Sequence, residues 1–330
     1  MKYRQFGNTD LHVSEIGFGA WAIGGGTMIG NTAIGWGDAD DTISKQAIHR
    51  SIDLGINFFD TADIYGLGHS EELLGDTIGN MKDLIIATKV GNVARNEKFT
   101  FDYSKEYIIQ ACEKSLKRLK RDTIDYYQLH TARLSHLQDG SCIDAMQYLQ
   151  QKGLIRYWGL SLNTFEPLPE AHYLIEQKKG NGFQLVLNLL NQRALSLLPQ
   201  AAALGYGIIA RMPLQFGLLT GKFDDAVHFS DNDHRKKRLT KELVDLCNQE
   251  LQPVWLLCKK YNCSKTELAL SYILNHAEVS TVISGIRTAA HAETNTSGLI
   301  SLAKEDIAMI EQLGKSEFEK LMAVILKQEL

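Results

Sequence analysis

The sequence predicts an α/β fold, a (β/α)8 barrel of the TIM type, on three observations. Short apolar runs alternate with amphipathic segments along the chain, about eight such units fit into 330 residues, and no low-complexity tract or proline-rich linker divides them. A barrel of this kind occupies roughly 250 residues. The length therefore leaves room for extra pieces while residues 1–330 are expected to form a single barrel domain.

The strands are read at 16–19, 56–59, 84–88, 123–129, 155–159, 183–187, 207–210 and 281–284. Each is a short and largely apolar run, as parallel strands buried on both faces require. Between them, residues 41–54, 71–78, 105–119, 143–151, 166–178 and 250–261 each set an apolar stripe beside a charged face, the pattern of a helix lying on a sheet. Two pieces fall outside the repeat. Residues 3–6 and 11–16, joined across Gly7-Asn8-Thr9-Asp10, read as an N-terminal β-hairpin plugging the bottom of the barrel. Residues 303–313 and 318–326 read as extra C-terminal helices covering one side.

Two irregular stretches complete the chain. Residues 24–37 carry Gly24, Gly25, Gly26, Gly30, Gly35 and Gly37, too flexible a composition for strand or helix, and follow the first strand, which places them on the functional rim. Residues 224–238 end in Arg235-Lys236-Lys237-Arg238 and read as a solvated loop with no role beyond closing over a cofactor.

Composition narrows the function. Hydrophobic residues at 44% and charged residues at 22% are those of a globular protein. Lysine plus arginine at 35 against aspartate plus glutamate at 39 leaves a net charge of −4, with no global basic field for nucleic acid or anionic membrane. A small-molecule partner is expected. Five cysteines without a CxxC pair argue against a disulfide framework and a zinc site, and a reducing cytoplasm fits them; no metal is expected. The first residues lack an apolar signal region, and no apolar run reaches the roughly 18 to 20 residues of a membrane helix.

The chemistry concentrates at strand ends. Asp60 closes the second strand and Tyr65 follows on its loop, Lys89 ends the third strand and His130 ends the fourth. In a barrel these ends converge on one face, where polar termini serve catalysis more often than structure. Taken singly, each is more often a packed tyrosine, a solvated lysine or a satisfied histidine; their joint placement on consecutive strands changes that balance. Together they suit carbonyl reduction, in which hydride reaches carbon while an acid protonates the developing alkoxide. Tyr65 is the expected acid, its phenol drawn down from about 10 by the ammonium of Lys89. Asp60 is the expected countercharge of Lys89, and neutral His130 is expected to orient the substrate oxygen.

These residues carry a resemblance to the aldo-keto reductase superfamily over nearly the whole chain. It rests on Phe59-Asp60-Thr61-Ala62 with Tyr65-Gly66, Ser70-Glu71 with Leu74-Gly75, Ala87-Thr88-Lys89, and Leu116-Lys117-Arg118-Leu119 followed by Asp125-Tyr126 and His130. It continues through Asn188 to Arg193, Pro213-Leu214 with Gly217 to Lys222, and Gly285-Ile286-Arg287. The resemblance implies a catalytic tetrad of Asp60, Tyr65, Lys89 and His130 and an extended NADPH across the barrel mouth. It implies carboxamide contacts at Ser161 and Gln184, with Asn163 in place of an asparagine usually adjacent to the serine. It implies a pyrophosphate border at Pro213, Leu214, Gly217, Leu219 and Lys222, with Gly285 at the end of the last strand. Arg287 and Thr288 match the pair that reads a 2′-phosphate, which favours NADPH over NADH. Arg211 stands where an aromatic residue commonly stacks on the nicotinamide, and a guanidinium plane can stack in its place. His291 and Asn295 match positions near the adenosine. No GxGxxG lies between a strand and a helix with an acidic residue downstream, so a Rossmann route to the dinucleotide is not supported.

For the substrate, Trp21, Trp36 and Met28 are expected to line the pocket with Tyr65, and Arg133 is a candidate anion contact for a polar or acidic carbonyl compound. The expected activity is NADPH-dependent reduction of an aldehyde or ketone, or the reverse oxidation of an alcohol, including that of a sugar. Two other readings stand beside it: a non-catalytic NADPH-binding subunit or sensor of a larger assembly, and a barrel aldolase using Lys89 as a Schiff-base nucleophile.

Overall fold

A computed structural model describes residues 1–223 and 229–329. Eight parallel strands close into a barrel: β1 (Ile16–Gly19), β2 (Phe58–Asp60), β3 (Ile85–Val90), β4 (Ile124–His130), β5 (Ile155–Ser161), β6 (Gly182–Val186), β7 (Gly207–Arg211) and β8 (Thr281–Gly285). Each strand pairs with its neighbours in chain order, and β8 returns to β1. The helix completing each unit is, in order, α1 (Asp41–Asp53), α2 (His69–Ile78), α3 (Lys105–Leu119), α4 (Ser141–Gln151), α5 (Leu168–Glu176), α6 (Leu197–Ala203), α7 (Lys265–Leu274) and α8 (Ala289–Thr296). The expected barrel is the observed one.

Strand parity positions the site. Successive residues point to opposite faces of a strand, so Phe58, Ile85, Ala87, Tyr126, Ile209 and Ile283 form an apolar floor inside the barrel. On the same parity, further toward the carboxyl ends, come Asp60, Lys89, Gln128, His130 and Arg211. The residues of opposite parity, such as Phe59, Ile86, Tyr127 and Leu129, face outward into the shell of helices. The interior thus changes from apolar to polar along its axis.

The hairpin Tyr3–Gln5 with His12–Ser14 seals the apolar end. Phe6 is fully buried and meets the Tyr126 ring edge-on at 4.9 Å. Gly182 and Gly207 leave room for it: a Cβ on either would lie 2.7 or 2.6 Å from the Phe6 ring. The C-terminal helices Lys304–Gly314 and Glu317–Glu329 also form as expected. They pack beside the loops that follow β6 and β7 and against Lys241–Glu250; Gln192 Nε2 donates to the Ile310 carbonyl, and Ile325 lines a small cavity with Phe216, Leu218 and Leu243.

Three expectations need correction. Residues 24–37 are ordered, because Thr27–Ile29 and Thr32–Ile34 form a hairpin around Gly30-Asn31, and Gly30 has a φ of +55° of the kind such a turn demands. A second hairpin, Asn92–Arg95 with Lys98–Phe101, follows β3. In the seventh unit the helix read at 250–261 forms as Gln252–Tyr261, but a further helix, Lys241–Glu250, precedes it, and the sheet is covered by α7 rather than by either. Residues 268–274 of α7 are all buried, so the helix carries no amphipathic contrast. Its Ser264 and Glu267 nevertheless form a reciprocal capping box. Of the 224–238 stretch, residues 224–228 lie outside the described residues, and Arg235–Arg238 is a short helix.

Candidate active site

At the carboxyl ends of the strands lies a cavity of about 460 Å³, within the usual range for a small-molecule site. Its floor carries Asp60, Tyr65 and His130. Lys89 lies behind them, fully buried, and its Nζ donates to Asp60 Oδ2 at 2.5 Å, to the Thr61 carbonyl at 2.8 Å and to Tyr65 Oη at 3.2 Å. Asp60 Oδ1 accepts from the amides of Gln128 at 3.1 Å and Gln184 at 2.7 Å. The four residues read from the sequence are therefore in one place.

The loop after β2 holds Tyr65 by local bonds. Thr61 N donates to the Ala87 carbonyl, Asp63 N to Lys89 and Tyr65 N to Ala62. A tight turn at Gly66, with a φ of +59°, then releases the chain into α2. The Tyr65 ring is wedged edge-on between Trp21 at 4.6 Å and His130 at 5.9 Å. The Tyr103 hydroxyl donates to the His130 carbonyl at 2.6 Å and fixes the end of β4.

Protonation departs from the sequence expectation at one group. Burial raises the Tyr65 phenol above its ordinary value, and the positive charge of Lys89, opposed by Asp60, does not reverse that. Tyr65 therefore holds its proton rather than standing partly ionised. Burial opposes the charge on Lys89, but Asp60 and Tyr65 together outweigh it and hold the ammonium above the usual lysine range. Such a lysine is not a free-amine nucleophile, which removes the ground for a Schiff base. Burial drives His130 well below the ordinary histidine value, with Lys89 and Arg211 adding to the effect, so its imidazole is neutral.

Above the floor, Trp21 and Trp36 line the cavity as expected, with Gln184, Arg211, Pro213, Leu214, Gly217, Lys222, Gly285, His291 and Asn295. Arg211 is braced by the Leu162 carbonyl and Thr164 Oγ1. The other expected contacts sit differently. Ser161 is buried at the end of β5, level with His130 and Gln184 on the adjoining strands, and Leu219 is buried beneath the loop; neither lines the cavity. Asn163 spends its carbonyl oxygen on the amides of Phe165 and Glu166, closing a turn, and also lies outside the lining. Arg287 is bound to the carbonyls of Trp36 and Asp38, and Thr288 caps α8 by accepting from His291 N. Neither lines the cavity, because the loop 24–38 has claimed the guanidinium and the helix end the hydroxyl. Met28 is exposed, and Arg133 is an exposed residue whose amide donates to His136 Nδ1, so it offers no anion contact inside the pocket.

The sequence reading missed His234, Arg235 and Arg238, which line the cavity on the segment read as solvated. That segment is tied across the mouth to the glycine-rich loop: Trp36 bridges Asp233, His234 N donates to the Gly35 carbonyl, and Asn232 donates to Asp38. Arg235 forms a salt bridge to Asp233 at 2.6 Å and lies over the Trp36 ring at 4.8 Å. The useful signal was the aromatic and acidic setting of the basic run, Phe229 and Asp233 before Arg235.

A barrel whose carboxyl-end cavity brings a protonated tyrosine, a charged lysine, its carboxylate and a neutral histidine together has the site of a carbonyl and alcohol oxidoreductase. The chain belongs to the aldo/keto reductase family, whose model matches residues 15–315. It is 32% identical to an uncharacterized oxidoreductase, YqkF of Bacillus subtilis, over 97% of this chain and 99% of that protein. It is 30% identical to L-galactose dehydrogenase of Arabidopsis thaliana, covering 98% and 94%. The structure resembles the glycerol dehydrogenase AKR11B4 of Gluconobacter oxydans, with a TM-score of 0.77 at 28% identity over 94% of each chain. Proteins of this family use a nicotinamide cofactor. Among the described residues, no helix is long and apolar enough to cross a membrane.

Proposed function

We propose that this chain reduces an aldehyde or ketone with NADPH, or oxidises the corresponding alcohol, with Tyr65 as the proton donor. The observation that carries the reading is the bonded chain from Tyr65 Oη through Lys89 Nζ to Asp60 at the cavity floor. The bound nicotinamide supplies or accepts the hydride. Tyr65, protonated and at the cavity floor, donates a hydrogen bond to the carbonyl oxygen, and neutral His130 donates a second. As negative charge grows on that oxygen it becomes a stronger base than a phenolate, and the proton moves from Tyr65 to it. Lys89, still donating to Oη, stabilises the phenolate left behind, and Asp60 keeps Lys89 charged.

The residues present suit a dinucleotide phosphate. Lys222, Arg235 and Arg238 bring three cations to the cavity lining, which Gly217 and Gly285 share. Gln184 retains a carbonyl oxygen after donating to Asp60, and Arg211 presents a braced guanidinium. These cations support NADPH in place of the Arg287 and Thr288 pair. The names of two relatives, L-galactose dehydrogenase and glycerol dehydrogenase, support a polyhydroxy substrate.

Fluorescence titration with NADPH and NADH, followed by an aldehyde and sugar screen monitored at the nicotinamide absorbance, tests the reading. Tighter binding of NADPH and its consumption with a carbonyl compound are expected. Equal affinities would remove the phosphate role, and binding without turnover across the screen would favour a non-catalytic subunit.

A further inference from the structure

Among the described residues, several side chains that line the cavity carry a buried nitrogen without a hydrogen-bond partner, among them Trp21, Trp36, His130 and His234. Trp21 Nε1 and His234 Nε2 are both buried and unbonded, and their rings are 5.6 Å apart. His234 is held firmly. Its amide is bonded to Gly35, Phe216 meets its ring edge-on at 5.0 Å, and the Asp233 to Arg235 salt bridge flanks it. Burial, reinforced by Arg238, lowers its imidazole to about 3, so the ring is neutral and offers either one donor or one acceptor at Nε2. The indole N–H of Trp21 can only donate. Trp21 also packs on Tyr65 at 4.6 Å, which puts this pair beside the reacting end of the site.

Building on the proposed reduction, we propose that Trp21 and His234 together read a hydroxyl group of the substrate, making His234 a specificity-determining residue for hydroxyaldehydes and hydroxyketones. A hydroxyl is the group that can accept from an indole N–H and donate to a neutral imidazole at once. A hydroxyl satisfies either tautomer of His234, whereas a carboxylate, which can only accept, satisfies only the one protonated at Nε2, and an alkyl chain satisfies neither atom. A site that buries unpartnered hydrogen-bonding groups rejects the analogue lacking the matching hydroxyl, because those groups then stay unpaired.

The test compares glyceraldehyde with propanal, which differ by their hydroxyls, for the cofactor-loaded wild type, His234→Phe and His234→Gln. Phenylalanine keeps a ring against Phe216 and Trp21 and removes the polar atom, whereas glutamine restores one. The ratio of kcat/KM for glyceraldehyde over propanal is expected to fall about tenfold in His234→Phe and to recover in part in His234→Gln. A ratio within twofold of wild type in His234→Phe overturns the proposal, including the case where both substrates slow equally because the loop is disturbed. Quenching of tryptophan fluorescence by glycerol and by 1-propanol is measured in parallel. A preference for glycerol that His234→Phe abolishes supports the proposal even if neither aldehyde is turned over, an outcome that would sink the reductase reading alone.

Discussion

The buried ion pair under Tyr65 sets a definite order of stabilities. Lys89 and Asp60 have side-chain exposures of 0% and 2% and lie 2.5 Å apart. Removing one partner of such a pair costs about 3 to 5 kcal/mol, because the other charge stays buried. The two ends are not equivalent. In Lys89→Met, Asp60 keeps the amides of Gln128 and Gln184, which partly satisfy its charge, so the cost falls near about 3 kcal/mol. In Asp60→Asn, Lys89 keeps a backbone carbonyl and a phenol but no countercharge, so the cost lies near about 5 kcal/mol. The double variant removes both charges and should cost less than the sum of the singles by about 1 to 3 kcal/mol. The sign with pH also follows. Without Asp60, burial lowers the Lys89 pKa below its unfolded value, so the unfolded chain binds more protons at neutral pH, and the Asp60→Asn deficit should shrink as pH rises from 7 toward 10. Urea unfolding followed by circular dichroism, at several pH values, measures all of this. Singles that add within about 0.5 kcal/mol, or an Asp60→Asn variant more stable than Lys89→Met, would refute the coupling assigned to the pair.

Other consequences are as definite. His234 titrates at about 3 in the fold and near 6.5 when unfolded, so the stability it contributes is lost as pH falls from about 6.5 toward 3, at up to about 1.4 kcal/mol per unit; His234→Phe should show a shallower loss of stability with acid, and an unchanged slope would contradict a buried neutral imidazole. Phe6→Ala empties the bottom of the barrel and should cost about 3 to 5 kcal/mol in unfolding free energy; a loss under about 1 kcal/mol would mean that the hairpin does not seal the core. Lys222→Ala and Arg238→Ala should each weaken NADPH binding about tenfold in fluorescence titrations and NADH binding less, since a charge-assisted bond is worth about 1.5 to 3 kcal/mol. Equal losses for both cofactors would place the cations at the shared pyrophosphate.

How much of this the sequence disclosed follows from where the signal resides. Asp60, Lys89 and His130 were legible because a polar residue ending an apolar strand has nowhere to point but the barrel mouth, and parity aims all three inward. Their mutual bonding was legible as chemistry, but the balance at Tyr65 was not: burial and Asp60 act against Lys89, and burial is a property of the fold. Phe6 could be placed as part of a plug, whereas its fit against Gly182 and Gly207 depends on residues about 180 and 200 positions away in the chain. The rim was the hardest part. The bridge from Trp36 to Asp233 joins two loops that carry no shared local pattern, and it converts a basic run into a cavity wall bearing His234, Arg235 and Arg238. On the same loop, the carbonyls of Trp36 and Asp38 accept from Arg287, a contact between residues about 250 positions apart that no local pattern announces.

The central claim is that Tyr65 gives the proton, with Lys89 and Asp60 behind it. It is tested most directly by Tyr65→Phe, measuring single-turnover oxidation of bound NADPH by a substrate aldehyde alongside the dissociation constant for NADPH. The account predicts a loss of at least about 100-fold in the rate, the lower bound for removing a positioned acid, with cofactor affinity within about twofold of wild type. A variant that turns over at more than about a tenth of the wild-type rate would contradict it.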